Sequence, residues 1–585
     1  VHNRFVNDAP PVEKRWSIRP RRPEAEAHLR SELGVGSLLA CTLVARGLED
    51  PEVASKFLSP SLDDLGSPSL LPDYEAAADA ILGALERKER IFVHGDYDVD
   101  GVTSTALFTR FLGKLGCDVV PHVPHRMKEG YGIHRDIVQV ARESGAKLFL
   151  TCDCGSSAHA QVEAAKEAGM TVVVTDHHLV PETLPGATAV INPHRADSRY
   201  PFPNLCGAGV VFRLCEGIAE AKGIRRELFR RAYLDLVALG TVADVMPLLG
   251  ENRILVRHGL KELRNTKKVG LKALLEVSKL DQDDPALELD TYDIGFKLGP
   301  RLNAAGRIDD AAASLELLLE SDPVRARELA EELDALNEQR REEQARILGE
   351  AIARVEEEGY HRDLVVVVAS EDWHSGVVGI VAGKLVDRYY RPAFVLRHDT
   401  ERGSVGGSAR SIAGFHLGDA IDRMRGRNLI RGGGGHAMAA GVSLDAASLE
   451  EFRREMNEFA AEFLTPEDLV PTIEIEAEVE MSEVLDRDIQ ELERMAPFGD
   501  SNPRPLYACR GLELAQLKPT RNPEHIGLFL RSGQGQQRKV MAFRMGGIFA
   551  DYALGSRLDI VFAPKMETFN GTTSGKWELR DFRDA

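Results

Sequence analysis

The sequence predicts a multidomain α/β protein: a parallel-sheet domain, a long connecting helix, a second α/β domain and a small C-terminal β-barrel. Three observations carry this. The 585 residues exceed what a single core holds, since domains run at roughly 150 residues each. From about residue 85, β-branched runs alternate with helix-length segments: "RIFVHGD", "DVVPHVPHR", "KLFLTCD", "MTVVVTDHH" and "ATAVINP". That is the pattern of parallel strands covered by helices on both faces. Past Pro471 it gives way to short alternating strands, "HIGLFLRS", "RKVMAFRM" and "RLDIVFAPKMETFNGTTSGKWELRDF", separated by Gly, Ser and Asn turns.

Taken in order, residues 1–50 open Pro-rich and read as a helical lead-in without chemistry. Residues 51–321 hold the parallel-sheet domain. Residues 322–360 form the connecting helix, with Asp322 as N-cap, Pro323 at the first helical position and no Gly before Gly349. At 1.5 Å per residue it is a rod of about 50 Å, suited to bridging two lobes. Residues 361–466 restart the strand-helix pattern and contain "RGGGGHAMAAG", whose glycines are expected to open a helix, "HAMAAGVS". Residues 467–585 form the barrel.

Composition narrows the setting. Hydrophobic content of 43% and charged content of 28% are those of ordinary globular chains, and no apolar run reaches membrane-spanning length. Seven cysteines, an odd number widely spread, fit a reducing compartment, so a cytoplasmic protein without membrane attachment is expected; a monomer is expected as well. Cys152 and Cys154 flank Asp153, but no second pair has zinc-finger spacing, so buried thiols are expected. The net charge of −19 argues against a polyanionic partner only globally; a local basic groove suffices.

The chemistry concentrates at strand ends. "VHGDYDVDG", Val93 to Gly101, places three aspartates and a histidine just past an apolar run. Asp153 and then Asp176-His177-His178 follow later strands, which is where open α/β sheets hold ligands. Unpaired carboxylates at close range repel, so such a gathering calls for a cation. His94, Asp98, Asp100, Asp153 and His177 offer oxygen and imidazole ligands suited to Mn²⁺, Mg²⁺ or Fe²⁺. That many acids fit two dications, about 3.5–4 Å apart and sharing one carboxylate. Asp153 is the candidate bridge, and Asp244, set among apolar residues in "TVADVMPL", is a further ligand. Taken singly, each of these residues reads more readily as a helix cap or a satisfied hydrogen bond; it is their joint placement at strand ends that points to metal.

"HGDYDVDG", "TCDCG", "TDHH" and "TVADVMPL", in this order, resemble the four motifs of the DHH phosphoesterase superfamily, and "GGGGHAMAAG" resembles the glycine-histidine motif of its accessory DHHA1 domain. With "WHSGVVGIVAGKL", "GPRLNAAGR" and "APFGDSNPRP", the whole is similar to the superfamily's bacterial exonucleases specific for single-stranded DNA. The resemblance implies 5′→3′ hydrolysis releasing mononucleotides, a role in DNA repair and recombination, and a single-strand-binding protein and a recombination helicase as partners. It implies two divalent metal ions, Mn²⁺ or Mg²⁺: one held by His94, Asp98 and Asp153, the other by Asp100, Asp153, His177 and Asp244. Asp96 and His178 take catalytic roles, Asp96 holding His94 or a water and His178 reaching the scissile phosphate.

In the second domain, Gly433 and Gly434 would cradle a phosphate on backbone N–H groups, with His436 and Arg431 beside them. Arg301, Arg307, Ser375 and Arg410 are companion substrate ligands, each equally readable as a surface ion pair or cap. The barrel resembles an OB fold, with Lys518, Arg521, Arg531, Arg538, Lys539 and Arg544 for the backbone and Phe529, Phe543 and Trp577 as stacking platforms, at least half of those aromatics being core instead. Two other readings stay open: a hydrolase of short oligonucleotides or small phosphoanhydrides, and a non-catalytic DNA-binding scaffold.

Overall fold

The structure, a computed structural model, describes residues 13–125, 132–308, 310–569 and 572–585. The opening of the lead-in, Arg126, and Asn570 and Gly571 of the last strand motif lie outside them. The chain divides into two units: residues 55–338 with 495–504, and residues 1–54, 339–494 and 505–585.

In the first unit, five parallel strands form one sheet: Ile91–Gly95, Val119–His122, Leu148–Cys152, Thr171–Thr175 and Ala189–Ile191. Counted along the chain, their order is 2-1-3-4-5. Both faces are buried because successive side chains point to opposite sides. Ile91, Val93, Leu150 and Val173 pack with helices Val99–Lys114, Gly207–Ala221 and Arg226–Ala243. Phe92, Phe149, Val172 and Val174 pack with helices Arg135–Glu143 and His159–Glu167. The apolar runs of the sequence are thus continuous rather than alternating, as expected for strands covered twice.

The helix Pro323–Glu357 is 35 residues long. Asp322 caps it as expected, its Oδ1 accepting the Val324 N–H at 2.9 Å.

In the second unit a mixed sheet runs Gly432–Gly435, Ala439–Asp445, Ser404–Arg410, Ala393–Asp399, Val366–Ser370 from edge to edge. The expected helix "HAMAAGVS" is absent. Ala439–Asp445 is a strand paired along its length with Ser404–Arg410, and the glycine run is the edge strand beside it. Helix propensity in Ala and Met is a few tenths of a kcal/mol per residue, and a seven-residue ladder with Val442 and Leu444 in the core outweighs it.

The C-terminal strands Tyr507–Pro519, Ile526–Arg531, Gln537–Ala542, Thr572–Asp584 and Arg557–Phe569 close into a five-stranded barrel, the last pairing back on the first. The lead-in is not set apart: its strand Arg15–Ile18 pairs in parallel with Thr472–Ile475, and Thr42 hydrogen-bonds the buried Tyr507 hydroxyl. Among the described residues no helix is long and apolar enough to cross a membrane.

Candidate metal centre

The strand order reverses between Ile91–Gly95 and Leu148–Cys152, and a crevice opens at the carboxyl ends of the two strands flanking such a reversal. Asp96 and Asp98 follow one of these strands and Asp153 the other. Asp98 caps helix Val99–Lys114 through the Gly101 N–H. Asp100, in that helix's first turn, faces the N-terminus of helix Gly207–Ala221, where Gly207 and Ala208 donate N–H bonds at 2.5 and 2.9 Å to its two oxygens. Close approach needs glycine here: a Cβ at Gly207 would lie 2.7 Å from that of Asp153, and one at Gly240 2.5 Å from Asp100 Oδ1. Asp244 ends helix Arg226–Ala243. Asp153 itself holds a left-handed backbone, φ 62°, a conformation that costs an aspartate strain and is characteristic of functional sites.

Three groups of ligand atoms result, each within 4.8 Å: Asp96, Asp98 and Asp153; Asp100, His177 and Asp244; Asp153, His177 and His178. Two like charges 4.8 Å apart repel by about 3.5 kcal/mol even at an effective dielectric near 20. Five acids at such spacings would consume much of a domain's roughly 5–15 kcal/mol of stability. Burial, then Asp100, Asp98 and Asp244, pushes the Asp153 carboxyl far up. Burial and Asp98 carry Asp100 to about 6, and burial with Asp100 and Asp98 carries Asp244 to about 8.

The donor set fits divalent cations. Asp153 Oδ1 and His177 Nε2 are buried, 3.0 Å apart, and neither makes a hydrogen bond. His177 bonds the Leu205 backbone through its other nitrogen, which leaves the Nε2 lone pair aimed at the acids. Burial and neighbouring His178 push His177 down to about 3, so the ring is a neutral ligand. With Asp153 ionised, two acceptors face each other, and a cation can take the place of the proton that the raised Asp153 carboxyl otherwise holds.

Asp176, which sequence reasoning passed over as a functional residue, organises the turn. It accepts the Ser156, His177 and His178 N–H groups and the His178 ring Nδ1 at 2.8 Å. Burial opposes a charge on His178, but this bond and the Asp176 charge carry it up to about 9. Its signal was present in "TDHH", where an aspartate ends a strand and precedes two imidazoles.

His94 is placed differently from the other expected ligands. Its Nδ1 lies 3.1 Å from His122 Nδ1 and its Nε2 3.3 Å from the Gly132 carbonyl, and it enters none of the three groups. Asp96 stands beside Asp98 and Asp153 instead. Both thiols flanking Asp153 are buried and free, as expected.

A cavity of about 320 Å³ adjoins the acids, lined by Asp96, Tyr97, Asp98, Ala243, Asn303, Gly306 and Arg307. Arg307 therefore opens on the centre, and so does Asn303, which no feature of its motif singles out. Arg301 does not: its guanidinium donates to Asp334 at 2.8 Å and to the Lys297 carbonyl, tying its helix to the long helix.

In the second unit, Arg410, Ser411 and the turn 436–438 lie at one end of the mixed sheet, with Ser411 N–H on the Met438 carbonyl. Arg410 sits against Gly379 at the start of helix Val378–Tyr389, just after Ser375. Gly433, Gly434 and His436 are exposed on the edge hairpin rather than at a helix N-terminus. Arg431 is held by Asp445. In the barrel, Trp577 is fully buried and stacked on Phe562 at 3.8 Å, so it is core, while Phe543 is 46% exposed. Arg531 pairs with Glu513 and Arg538 with Asp486; Lys518, Lys539 and Arg544 are exposed.

A doubly covered parallel sheet with aspartates and histidines gathered at its switch point, joined to an accessory α/β domain, defines a DHH phosphoesterase. The family models agree: DHH family, N-terminal domain, matches residues 90–241; the DHHA1 domain matches 362–462; and the RecJ OB domain matches 475–581. The single-stranded-DNA-specific exonuclease RecJ of Dickeya dadantii is 40% identical over 84% of this chain and 86% of its own. That of Bacillus subtilis is 36% identical over 97% of this chain and 70% of its own. A crystal structure of RecJ from Thermus thermophilus in complex with Mn²⁺ superposes with a TM-score of 0.82 at 30% identity, covering 98% of this chain and 79% of that one. The chain belongs to the RecJ family.

Proposed function

We propose that this chain is a metal-dependent exonuclease that hydrolyses phosphodiester bonds of single-stranded DNA from the 5′ end, releasing mononucleotides. The observation that carries it is the buried, unbonded pair Asp153 Oδ1 and His177 Nε2 at the sheet's switch point. Asp153 would be shared by two cations, with Asp98 joining it for one and Asp100, His177 and Asp244 for the other. The role of His94 on the first cation rests on the resemblance, and Asp96 stands where it can share that role. Bound as a pair, divalent cations supply charge neutralisation at the phosphate and acidify a water.

The chain's own residues do the rest. His178, kept protonated by Asp176, donates to a phosphate oxygen or the leaving oxygen. Arg307 adds positive charge beside Asp96 and Asp98. Ser375, Arg410, the exposed Gly433 and Gly434 backbone and His436 bind phosphates of the strand. The barrel, through Lys518, Lys539, Arg544 and Phe543, binds the unpaired strand by charge and stacking. A complete barrel favours long strands over small phosphoanhydrides. A single-strand-binding protein and a recombination helicase as partners, and repair and recombination as the setting, rest on family resemblance, as does a cytoplasmic monomer.

Oligonucleotides labelled at either end, single- or double-stranded, with Mn²⁺ or with EDTA, test this. Mononucleotides should appear first from the 5′ label of the single strand and only with metal. Turnover in EDTA, or equal attack on duplex, overturns the proposal.

A further inference from the structure

The second group of ligands is delivered by two loops that have no sequence neighbourhood in common. One leads into helix Gly207–Ala221, whose first N–H groups hold Asp100. The other is the turn that carries Asp244. That turn is unusual, because Val245, directly after Asp244, has φ 56°. A β-branched residue takes this conformation only when its surroundings impose it. Packing does not impose it here, since Val245 is 67% exposed. Hydrogen bonds do: Val245 and Met246 N–H bond back to Val242 and Thr241, and Leu248 N–H bonds the Asp500 carbonyl at 2.9 Å.

Resting on the two-cation reading above, we propose that Asn252 is a positioning residue for the second cation. It is fully buried in the first turn of helix Gly250–Arg264. Its single amide nitrogen donates to the Asn204 carbonyl at 2.6 Å and to the Pro247 carbonyl at 3.1 Å. Asn204 lies three residues before Gly207, and Pro247 three residues after Asp244. One side chain therefore locks the cradle of Asp100 to the strained turn of Asp244, fixing the spacing of two carboxylates that otherwise repel. Such outer contacts set metal affinity, typically by 10–100-fold. The adjacent Arg253 supports the same turn from outside, donating to the Met495 and Ala496 carbonyls of the segment 495–504 at 2.7 and 2.9 Å. This gives "APFGDSNPRP" a place: it braces the Asp244 turn.

The test is Mn²⁺ binding, by calorimetry and by the electron paramagnetic resonance of the bound ions, with no substrate present. Wild type should take up two Mn²⁺ per chain with an exchange-coupled signal. Asn252→Ala should keep one site at wild-type affinity, weaken the second by about tenfold or more, and show isolated-ion spectra at equal loading. Leu255→Ala, a fully buried apolar change on the same helix that removes no hydrogen bond, should lower thermal stability yet keep both sites. Asn252→Ser, which retains one donor, should fall between Asn252→Ala and wild type. Both Asn252 variants binding two ions within twofold of wild type, or Leu255→Ala losing the second site equally, overturns the proposal. So does failure of both Asn252 variants to fold while Leu255→Ala folds, which would make the role structural. A wild-type chain that binds one Mn²⁺ overturns the two-cation reading itself, and the proposal with it.

Discussion

His177 Nε2 and Asp153 Oδ1 face each other at 3.0 Å inside the protein, and no hydrogen bond joins them. With Asp153 ionised, both are electron-pair donors, because the His177 proton sits on the nitrogen that bonds Leu205. Asp153 also groups with Asp96 and Asp98, so its carboxylate touches both halves of the centre. Asp153→Ala should therefore strip both cations and lower turnover by more than about 10³-fold, beyond the loss of a single transition-state donor. His177→Ala should cost the second cation first. Metal content of the purified variants, read beside turnover, checks this; Asp153→Ala with full metal content would refute the shared-ligand role.

The same acids make the metal-free protein sensitive to alkali. Burial, Asp100 and Asp98 carry Asp244 to about 8, and burial with Asp98 carries Asp100 to about 6, against 3.8 for an ordinary aspartate. A carboxyl with a raised folded-state value holds its proton more tightly folded than unfolded, so its favourable contribution falls as pH climbs from near 4 through the folded value. Chelator-treated protein should lose melting temperature between about pH 5 and pH 8.5, and added Mn²⁺ should remove that slope by replacing protons as the counter-charge. A melting temperature of the chelated protein that is flat across this range would count against a cation-demanding cluster.

Asp176 and His178 form a second unit within the centre. His178→Ala should lower single-turnover rates by about 10²–10⁴-fold, the range of a lost acid-base group, while Mn²⁺ stoichiometry stays at two. Asp176→Asn should do more damage. It weakens the charge support of His178 and also the hold on the His177 and Ser156 N–H groups, so metal affinity falls as well. Equal metal binding in the two variants would show that Asp176 acts through His178 alone.

What the sequence made legible follows from locality. The strand ends could be read because each acid lies within a few residues of an apolar run whose pattern fixes both the strand and its direction. Asp244 was legible as a charge among apolar neighbours. The "HAMAAGVS" strand was not, because what decides it is the ladder to Ser404–Arg410, some thirty residues away, rather than its own propensity. Arg301 reads like Arg307 in "GPRLNAAGR", yet Asp334 engages one and the cavity receives the other. Asn252 and Arg253 carried no signal at all, since their partners are backbone carbonyls up to about 240 residues distant.

The segment 495–504 also decides how the barrel must be tested. Truncation after Pro471 removes the barrel, but it takes away the carbonyls that satisfy the buried Arg253 guanidinium as well, and an uncompensated buried charge is severely destabilising. Loss of activity in that deletion would say nothing about strand binding. Surface substitutions avoid the difficulty. Lys518, Lys539 and Arg544 are exposed, and neutralising all three should flatten the salt dependence of long-strand affinity by about 0.7 per charge, roughly 2 in total on a log-log plot. Phe543→Ala, at an exposed ring that meets His525 edge-on, should cost about 1–3 kcal/mol of strand binding. Hydrolysis of a dinucleotide should be unchanged in both. If long-strand affinity and its salt slope stay at wild-type values, the barrel does not grip the substrate through this face.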